Sequence, residues 1–140
     1  MGYNRCSCGN RKKYTALQCR ICRYGAIGSP REDITEAEVA WVAGVLEGEG
    51  CWTTKNQRES TWWVAVRMTD QDVIERLASV TGVGTVRPEP PQRAGAKPSW
   101  SWRVASGPHR EWLTLKVWPW MGTRRRGRIL QIWPACPTSI

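Results

Sequence analysis

Between Thr35 and Gly50, apolar side chains at Val39, Val42, Val45 and Leu46 recur with the three- and four-residue spacing of one helix face. Thr35 with Glu38 three residues later forms a capping box, and Gly50 ends the run, so the pattern predicts a helix bounded on both sides. After Gly50 the period changes to two. Residues 51–57 can form a strand, and 61–68 read as a second, with Trp62, Val64, Val66 and Met68 on one side and Trp63, Ala65 and Arg67 on the other. Thr69-Asp70 then caps a helix carrying Val73, Ile74, Leu77 and Val80, which stops at Gly82. A second hairpin pattern follows: a strand over 84–87, a Pro- and Gly-rich connection over 88–98, and a strand over 99–105. Ser106-Gly107-Pro108 starts a helix with Trp112, Leu113, Leu115 and Val117, and a last helix runs from Thr123 to Trp133. This order of elements predicts an α+β domain in which helices cover one face of an antiparallel sheet.

The first helix has two peculiarities. Glu47 and Glu49 lie in its last turn, where the helix dipole places roughly half a negative charge and disfavours carboxylates unless a cation is present. A divalent metal is the simplest such cation. Ala40, Gly44 and Gly48 also recur every four residues, with Ala43 beside them, although each interior Gly costs about 1 kcal/mol. Such a line of small side chains makes sense where a second helix backbone must approach closely. Two copies packed this way would bring two Glu49 side chains together, which again calls for metal ions.

At these residues the chain resembles a known family. Val42 to Gly50 is similar to the LAGLIDADG motif of homing endonucleases, in a variant ending Glu-Gly-Glu-Gly. The resemblance extends through the element order from Thr35 to Trp133, including Gly82-Val83-Gly84 before the third strand and the basic run after Pro119-Trp120-Met121. It implies the family's αββαββα layout and makes the motif helix an interface, with Ala40, Ala43, Gly44 and Gly48 against a partner. A single motif then implies a homodimer.

By position, Glu49 resembles the acid that binds the catalytic Mg2+. Many members carry Asp there, and Glu adds a methylene. The uncovered sheet face would form a saddle on double-stranded DNA, and stepping by two from Glu49 and Cys51 assigns to it Thr53, Lys55 and Gln57. The other strands contribute Trp63, Arg67, Arg87, Ser101 and Arg103. The opposite parity gives Trp52, Val64, Val66, Trp100, Trp102 and Val104, which suit the face beneath the helices. Arg124 resembles the basic residue beside the scissile phosphate. Asp70 and Gln71 resemble the position that orders the attacking water, against the alternative that they only cap a helix.

Charge distribution adds to this picture. The net charge of +9 is split between two basic regions, since residues 1–31 hold seven Lys or Arg and no acid, and ten of the twelve acids fall between Glu32 and Glu75. A solvated surface would account for that, but so would a phosphate-binding footprint on nucleic acid. Cys6 and Cys8, then Cys19 and Cys22, form two close pairs separated by ten residues, a donor set for a tetrahedral Zn2+. The expected division is therefore a small four-cysteine zinc-ribbon module with its linker over 1–31 and the endonuclease domain over 32–140. The module is either a folding staple or an auxiliary DNA contact through Arg5, Arg11, Lys12, Lys13, Arg20 and Arg23. Cys51 and Cys136 read as free thiols.

No apolar run approaches the roughly 18 to 20 residues that cross a membrane, so a soluble intracellular, cytoplasmic protein is expected. The resemblance implies a homodimeric, Mg2+-dependent DNA endonuclease with a structural Zn2+, carried by an intron, a phage or another mobile element. The alternatives are a non-cleaving transcriptional regulator or an RNA maturase on the same fold, and a zinc-ribbon interaction protein without a nucleic-acid role. His109 is the only histidine, which excludes a His-Asn-His nuclease site.

Overall fold

The computed structural model describes residues 3–5 and 11–13 by their backbone, and residues 28–55 and 61–138 in full. Near the N-terminus, β1 (Tyr3–Arg5) and β2 (Arg11–Lys13) pair antiparallel, with Tyr3 opposite Lys13 and Arg5 opposite Arg11. The expected zinc ligands Cys6, Cys8, Cys19 and Cys22, and Gln57, lie outside the described residues.

The motif helix α1 spans Glu36–Glu49. Its capping box is closed in both directions: Glu38 N donates to Thr35 Oγ1 at 3.1 Å, and Thr35 N donates to Glu38 Oε1 at 3.0 Å. That backbone donor, followed by Arg31, holds the Glu38 carboxyl below the usual carboxylate range. Gly50 follows without a left-handed turn, its φ of −74° leading the chain directly into β3 (Gly50–Thr54). A side chain at Gly50 would place its Cβ 2.5 Å from the Leu46 carbonyl oxygen, so the close passage of strand over helix explains the glycine.

Beyond β3 come β4 (Trp62–Met68), α2 (Gln71–Thr81), β5 (Thr85–Glu89), β6 (Ser99–Val104), α3 (Gly107–Val117), a 3-10 turn (Trp118–Trp120) and α4 (Thr123–Ile132). The four strands form one antiparallel sheet in the order β3-β4-β6-β5. Helices cover one face, as expected, and the described fold is α+β. Val42 and Leu46 of α1, Ile74 and Leu77 of α2, Leu113 and Val117 of α3, and Ile129 and Ile132 of α4 meet Trp52, Trp62, Val64, Val66, Trp102 and Val104 of the sheet. Burial of each such aliphatic side chain contributes about 1.5 to 3 kcal/mol. Two indoles satisfy their N–H groups inside this core, Trp52 Nε1 on Thr114 Oγ1 at 3.1 Å and Trp102 Nε1 on the Val83 carbonyl at 2.9 Å.

Three differences from the sequence pattern have physical causes. β5 continues to Glu89, because it is an edge strand and an edge tolerates Pro88, which sits opposite Trp100. Ala43 lies at 1 % exposure inside the core, so it is removed from the expected interface. The end of the predicted linker is docked rather than free: Arg31 N donates to the Thr81 carbonyl at 3.0 Å, and Arg31 Nη1 bonds Glu38 Oε2 at 3.0 Å and the Val80 carbonyl at 3.2 Å.

Gly82 makes that docking possible. Its φ is +76°, and a Cβ there would meet the Ser29 carbonyl oxygen. The left-handed backbone alone costs a non-glycine residue about 1 to 2 kcal/mol. Gly82→Ala is therefore expected to destabilise the chain by about 2 kcal/mol or more, measured as a lowered denaturant midpoint at unchanged m-value. A change below about 0.5 kcal/mol would refute the docked arrangement.

Candidate nucleic-acid interface

The helix-free side of the sheet is built by strand register. Gly50 lies opposite Val66, and Thr53 opposite Trp63. Arg67 and Arg87 both lie opposite Ser101, while Ala65 and Thr85 both lie opposite Arg103. Side chains alternate between faces, so Thr53, Trp63, Arg67, Arg87, Ser101 and Arg103 share the face away from the helices. Lys55 follows β3 directly and is exposed.

Their chemistry is more committed than parity alone suggests. The Arg103 guanidinium lies 4.0 Å from the Trp63 ring centroid, so this indole is half-covered by a cation rather than open. Burial, and then the proximity of Arg87, lowers the Arg103 pKa. Arg67 donates through Nε to Ser99 Oγ at 3.1 Å and through Nη2 to the Pro90 carbonyl at 3.2 Å. Ser101 is 8 % exposed, and its hydroxyl donates to Glu89 Oε1 at 2.7 Å. It is therefore occupied within the chain rather than offered to a ligand.

Glu89 was missed because the chain after Arg87 reads as a Pro-rich loop. The available signal was parity: 85, 87 and 89 alternate through an edge strand that accommodates Pro88. A recess of about 520 Å³ flanks this edge, lined by Thr85, Arg87, Arg103, Ser106 and His109 among others.

A second set of residues gathers where α1 ends. Glu49 is exposed at the helix terminus, immediately before Gly50. Glu47 is differently placed: its Oε2 accepts from Gly122 N at 3.1 Å, at the start of α4, and its backbone carbonyl accepts from Arg125 Nε at 3.2 Å. The two helix ends therefore neutralise one another, carboxylate on the positive end of α4 and guanidinium on the negative end of α1. The positive partner expected for the Glu47 carboxylate is the N-terminus of α4.

The arginine run is similarly divided. Arg126 bonds the carbonyls of Trp118 and Pro119 and lies over the Trp118 ring, and Arg128 bonds the Trp52 carbonyl at 3.0 Å. Arg124 is exposed with no partner among the described residues. It lies in the first turn of α4, two residues beyond Gly122, as Glu49 lies two residues beyond Glu47, the pair of positions that the Gly122–Glu47 bond brings together.

Asp70 occupies the N-cap position of α2 but makes no side-chain cap bond there, and Gln71 Nε2 is bonded to Glu75 Oε1 at 3.0 Å. Because Gly50 is opposite Val66, Glu49 and Asp70 lie at the same end of the β3–β4 pair. Among the described residues, no three His, Cys, Asp or Glu side chains form a group that could hold a metal.

On the outer side of α1, Ala40 is half-buried and Gly44 and Gly48 are exposed, with open space where a Cβ would stand on either glycine. Trp120, in the 3-10 turn packed against this helix, is 47 % exposed. Sequence periodicity did not single it out. Cys51 and Cys136 are free, as expected. No described helix is long and apolar enough to cross a membrane.

No family model matches the chain, and neither does any curated protein. Solved structures do. The homing endonuclease I-CvuI, in complex with the I-CreI target in the presence of Mg and with the DNA not cleaved, matches with a TM-score of 0.51 at 18% identity, over 70% of this chain and 65% of that one. I-CeuI, a group I intron-encoded homing endonuclease complexed with DNA, matches with a TM-score of 0.55 at 13% identity, over 74% and 56%. The archaeal intron-encoded homing endonuclease I-Vdi141I, also complexed with DNA, matches at 0.50 and 13% identity, over 69% and 65%. The fold is that of the LAGLIDADG homing endonucleases. The chain spans somewhat less than two thirds of the length of these three structures.

Within this LAGLIDADG fold, the Glu47 cap is the contact that ties the motif helix to α4. Glu47→Ala removes a charged acceptor from a helix N-terminus and is expected to cost about 1 to 2 kcal/mol, read as a lower melting temperature. Glu49→Ala, with no such contact, should leave the melting temperature within about 0.5 kcal/mol of the parent. Equal destabilisation by both substitutions would contradict the division of roles between the two acids.

Proposed function

We propose that the chain is a site-specific, double-strand DNA endonuclease that works as a homodimer and hydrolyses one phosphodiester on each strand. The observation that carries this reading is the convergence of three surfaces in one LAGLIDADG fold. These are a helix-free sheet face bearing Arg67, Arg87 and Arg103, an exposed Glu49 at one end of the sheet, and an open small-residue line along the helix that ends in Glu49.

DNA suits the sheet face because, among the described residues, its cations have one carboxylate, Glu89, between them. Four strands at about 4.8 Å spacing make a surface roughly 14 Å across, comparable with the roughly 12 Å major groove. The neighbouring endonucleases I-CeuI and I-Vdi141I are complexed with DNA, which supports the same partner here. Ala40, Gly44 and Gly48 would receive the second copy, with Trp120 at the rim. The contact would bring two Glu49 carboxylates to the dimer axis.

Glu49 offers hard oxygen donors of the kind Mg2+ takes, and one carboxylate supplies only part of an octahedral set. The second copy's Glu49, DNA phosphate oxygens and water would complete it. When bound, the ion supplies activation of the attacking water and stabilisation of the leaving oxygen. The chain's own residues position the substrate. Arg124, without a partner among the described residues, would neutralise phosphate near Glu49, and Asp70, which makes no side-chain cap bond, would orient water. Gln71 is held by Glu75 and drops to a supporting place. Residues 1–31 would form a separate Zn2+-binding module on Cys6, Cys8, Cys19 and Cys22, adding phosphate contacts at the edge of the site.

Glu49→Gln is expected to reduce cleavage in Mg2+ at least about 100-fold, with affinity for the selected DNA in Ca2+ within threefold. The measurement is cleavage selection on a randomised duplex library, and equal cutting by both proteins would remove Glu49 from the chemistry. A parent chain that selects a site without cutting it would favour a non-cleaving regulator. Gly44→Leu is expected to turn the dimer into a monomer, measured by light scattering after gel filtration; an unchanged mass would exclude this helix face as the interface.

A further inference from the structure

Glu89 is out of place on a surface that meets a polyanion. It stands on the sheet face with Arg67, Arg87 and Arg103, where an uncommitted carboxylate would repel phosphate. Instead, one oxygen is engaged twice: Oε1 accepts from Ser101 Oγ at 2.7 Å and from Arg87 Nε at 3.0 Å. The Ser101 hydroxyl first, and Arg87 with it, hold the carboxyl below the usual range, so it stays charged. The Glu89 side chain is 16 % exposed, whereas that of Arg87 is 52 % exposed.

This geometry fixes an arginine rather than neutralising one. A guanidinium held through Nε has both terminal nitrogens left, and these form a flat fork of parallel donors. No other side chain or carbonyl among the described residues bonds Arg87. Phosphate contacts do not need such orientation, and a neighbouring carboxylate weakens them. A base edge does need it. The acceptor pair that matches a two-donor fork in the major groove is O6 and N7 of guanine.

We propose that Arg87 reads a guanine in each half of the DNA site, and that Glu89 is the positioning residue that aims it through Oε1. The inference rests on the DNA-binding reading above. Neither residue touches the reacting phosphodiester, so their effect falls on which sequence is bound.

The test uses the full chain, its Glu89→Gln and Arg87→Lys variants, and a randomised duplex library with Ca2+, sequenced after binding selection. The wild type is expected to prefer guanine at one symmetry-related position by about 10- to 100-fold, the range of one bidentate contact. Both variants should lose that preference about tenfold or more while keeping the remaining selected positions, the melting temperature and the slope of log affinity against log salt. Because Lys retains the charge, loss of the preference in Arg87→Lys separates fork recognition from phosphate attraction. Unchanged base preference in Glu89→Gln would overturn the positioning role. Unchanged preference in Arg87→Lys, from a wild type that does select a site, would overturn the guanine assignment while leaving the endonuclease reading standing. A wild-type chain that selects no sequence overturns that reading, and this inference with it.

Discussion

Two helix ends meet where the exposed Glu49 leaves the motif helix, and the rest of the candidate site depends on that meeting. Glu47 lends its side chain to the backbone N–H of Gly122 and its carbonyl to Arg125, so one residue is acceptor for both the start of α4 and its first turn. A carboxylate at the C-terminus of an isolated helix is unfavourable, yet here it faces the positive end of another helix. The same contact orders the last turn of α1, and with it the direction in which Glu49 leaves. Gly50 then allows the chain to run into β3 without a turn residue between, so the acid, the strand and the helix-free face are linked over a few bonds.

This arrangement also sorts the positive charge of the C-terminal half. Arg125, Arg126 and Arg128 stand at a helix start, where their charge is opposed by the dipole, but each is spent on backbone carbonyls from α1, the 3-10 turn or β3. These bonds close helix and strand ends that would otherwise carry orphan acceptors. The basic run is thus mostly a fastening between elements. Only Arg124, exposed and unpartnered among the described residues, retains the attribute that a phosphate-binding role requires. Net charge identifies a class of partner, whereas hydrogen-bond accounting identifies which cations are available to it.

The elements and the sheet faces were legible in the sequence because both follow from periodicity, and each of Trp52, Val64, Val66, Trp102 and Val104 is buried where parity places it. What escaped the pattern was long-range. Nothing local to Glu47 announces Gly122, 75 residues away, and nothing local to Ser101 announces Glu89 across the β5–β6 pair. Parity assigned Ser101 to the open face correctly but could not show that its hydroxyl was already taken. Pro88 hid the end of β5, since a proline argues against a strand until the strand is known to be an edge. Ala43 failed for a related reason: it is small like its neighbours on α1, but its angular position turns it inward.

The separation of Glu47 from Glu49 bears on the proposed homodimer. A divalent cation requires several oxygen ligands, and among the described residues the last turn of α1 offers one uncommitted carboxylate, Glu49, once Glu47 is bound to Gly122. Glu47 could serve as a further donor only by breaking its bond to Gly122, which would loosen the corner that positions Glu49. Bringing a second α1 against the first supplies another carboxylate without that loss. In that dimer the openness of Gly44 and Gly48 would offset its cost in helix stability, since a bulkier residue at either place would hold the two helix ends apart. In the proposed dimer the small-residue line and the last-turn acid are one constraint: the line sets how near two Glu49 side chains come, and the Glu47 cap leaves those two carboxylates at the helix ends for a metal.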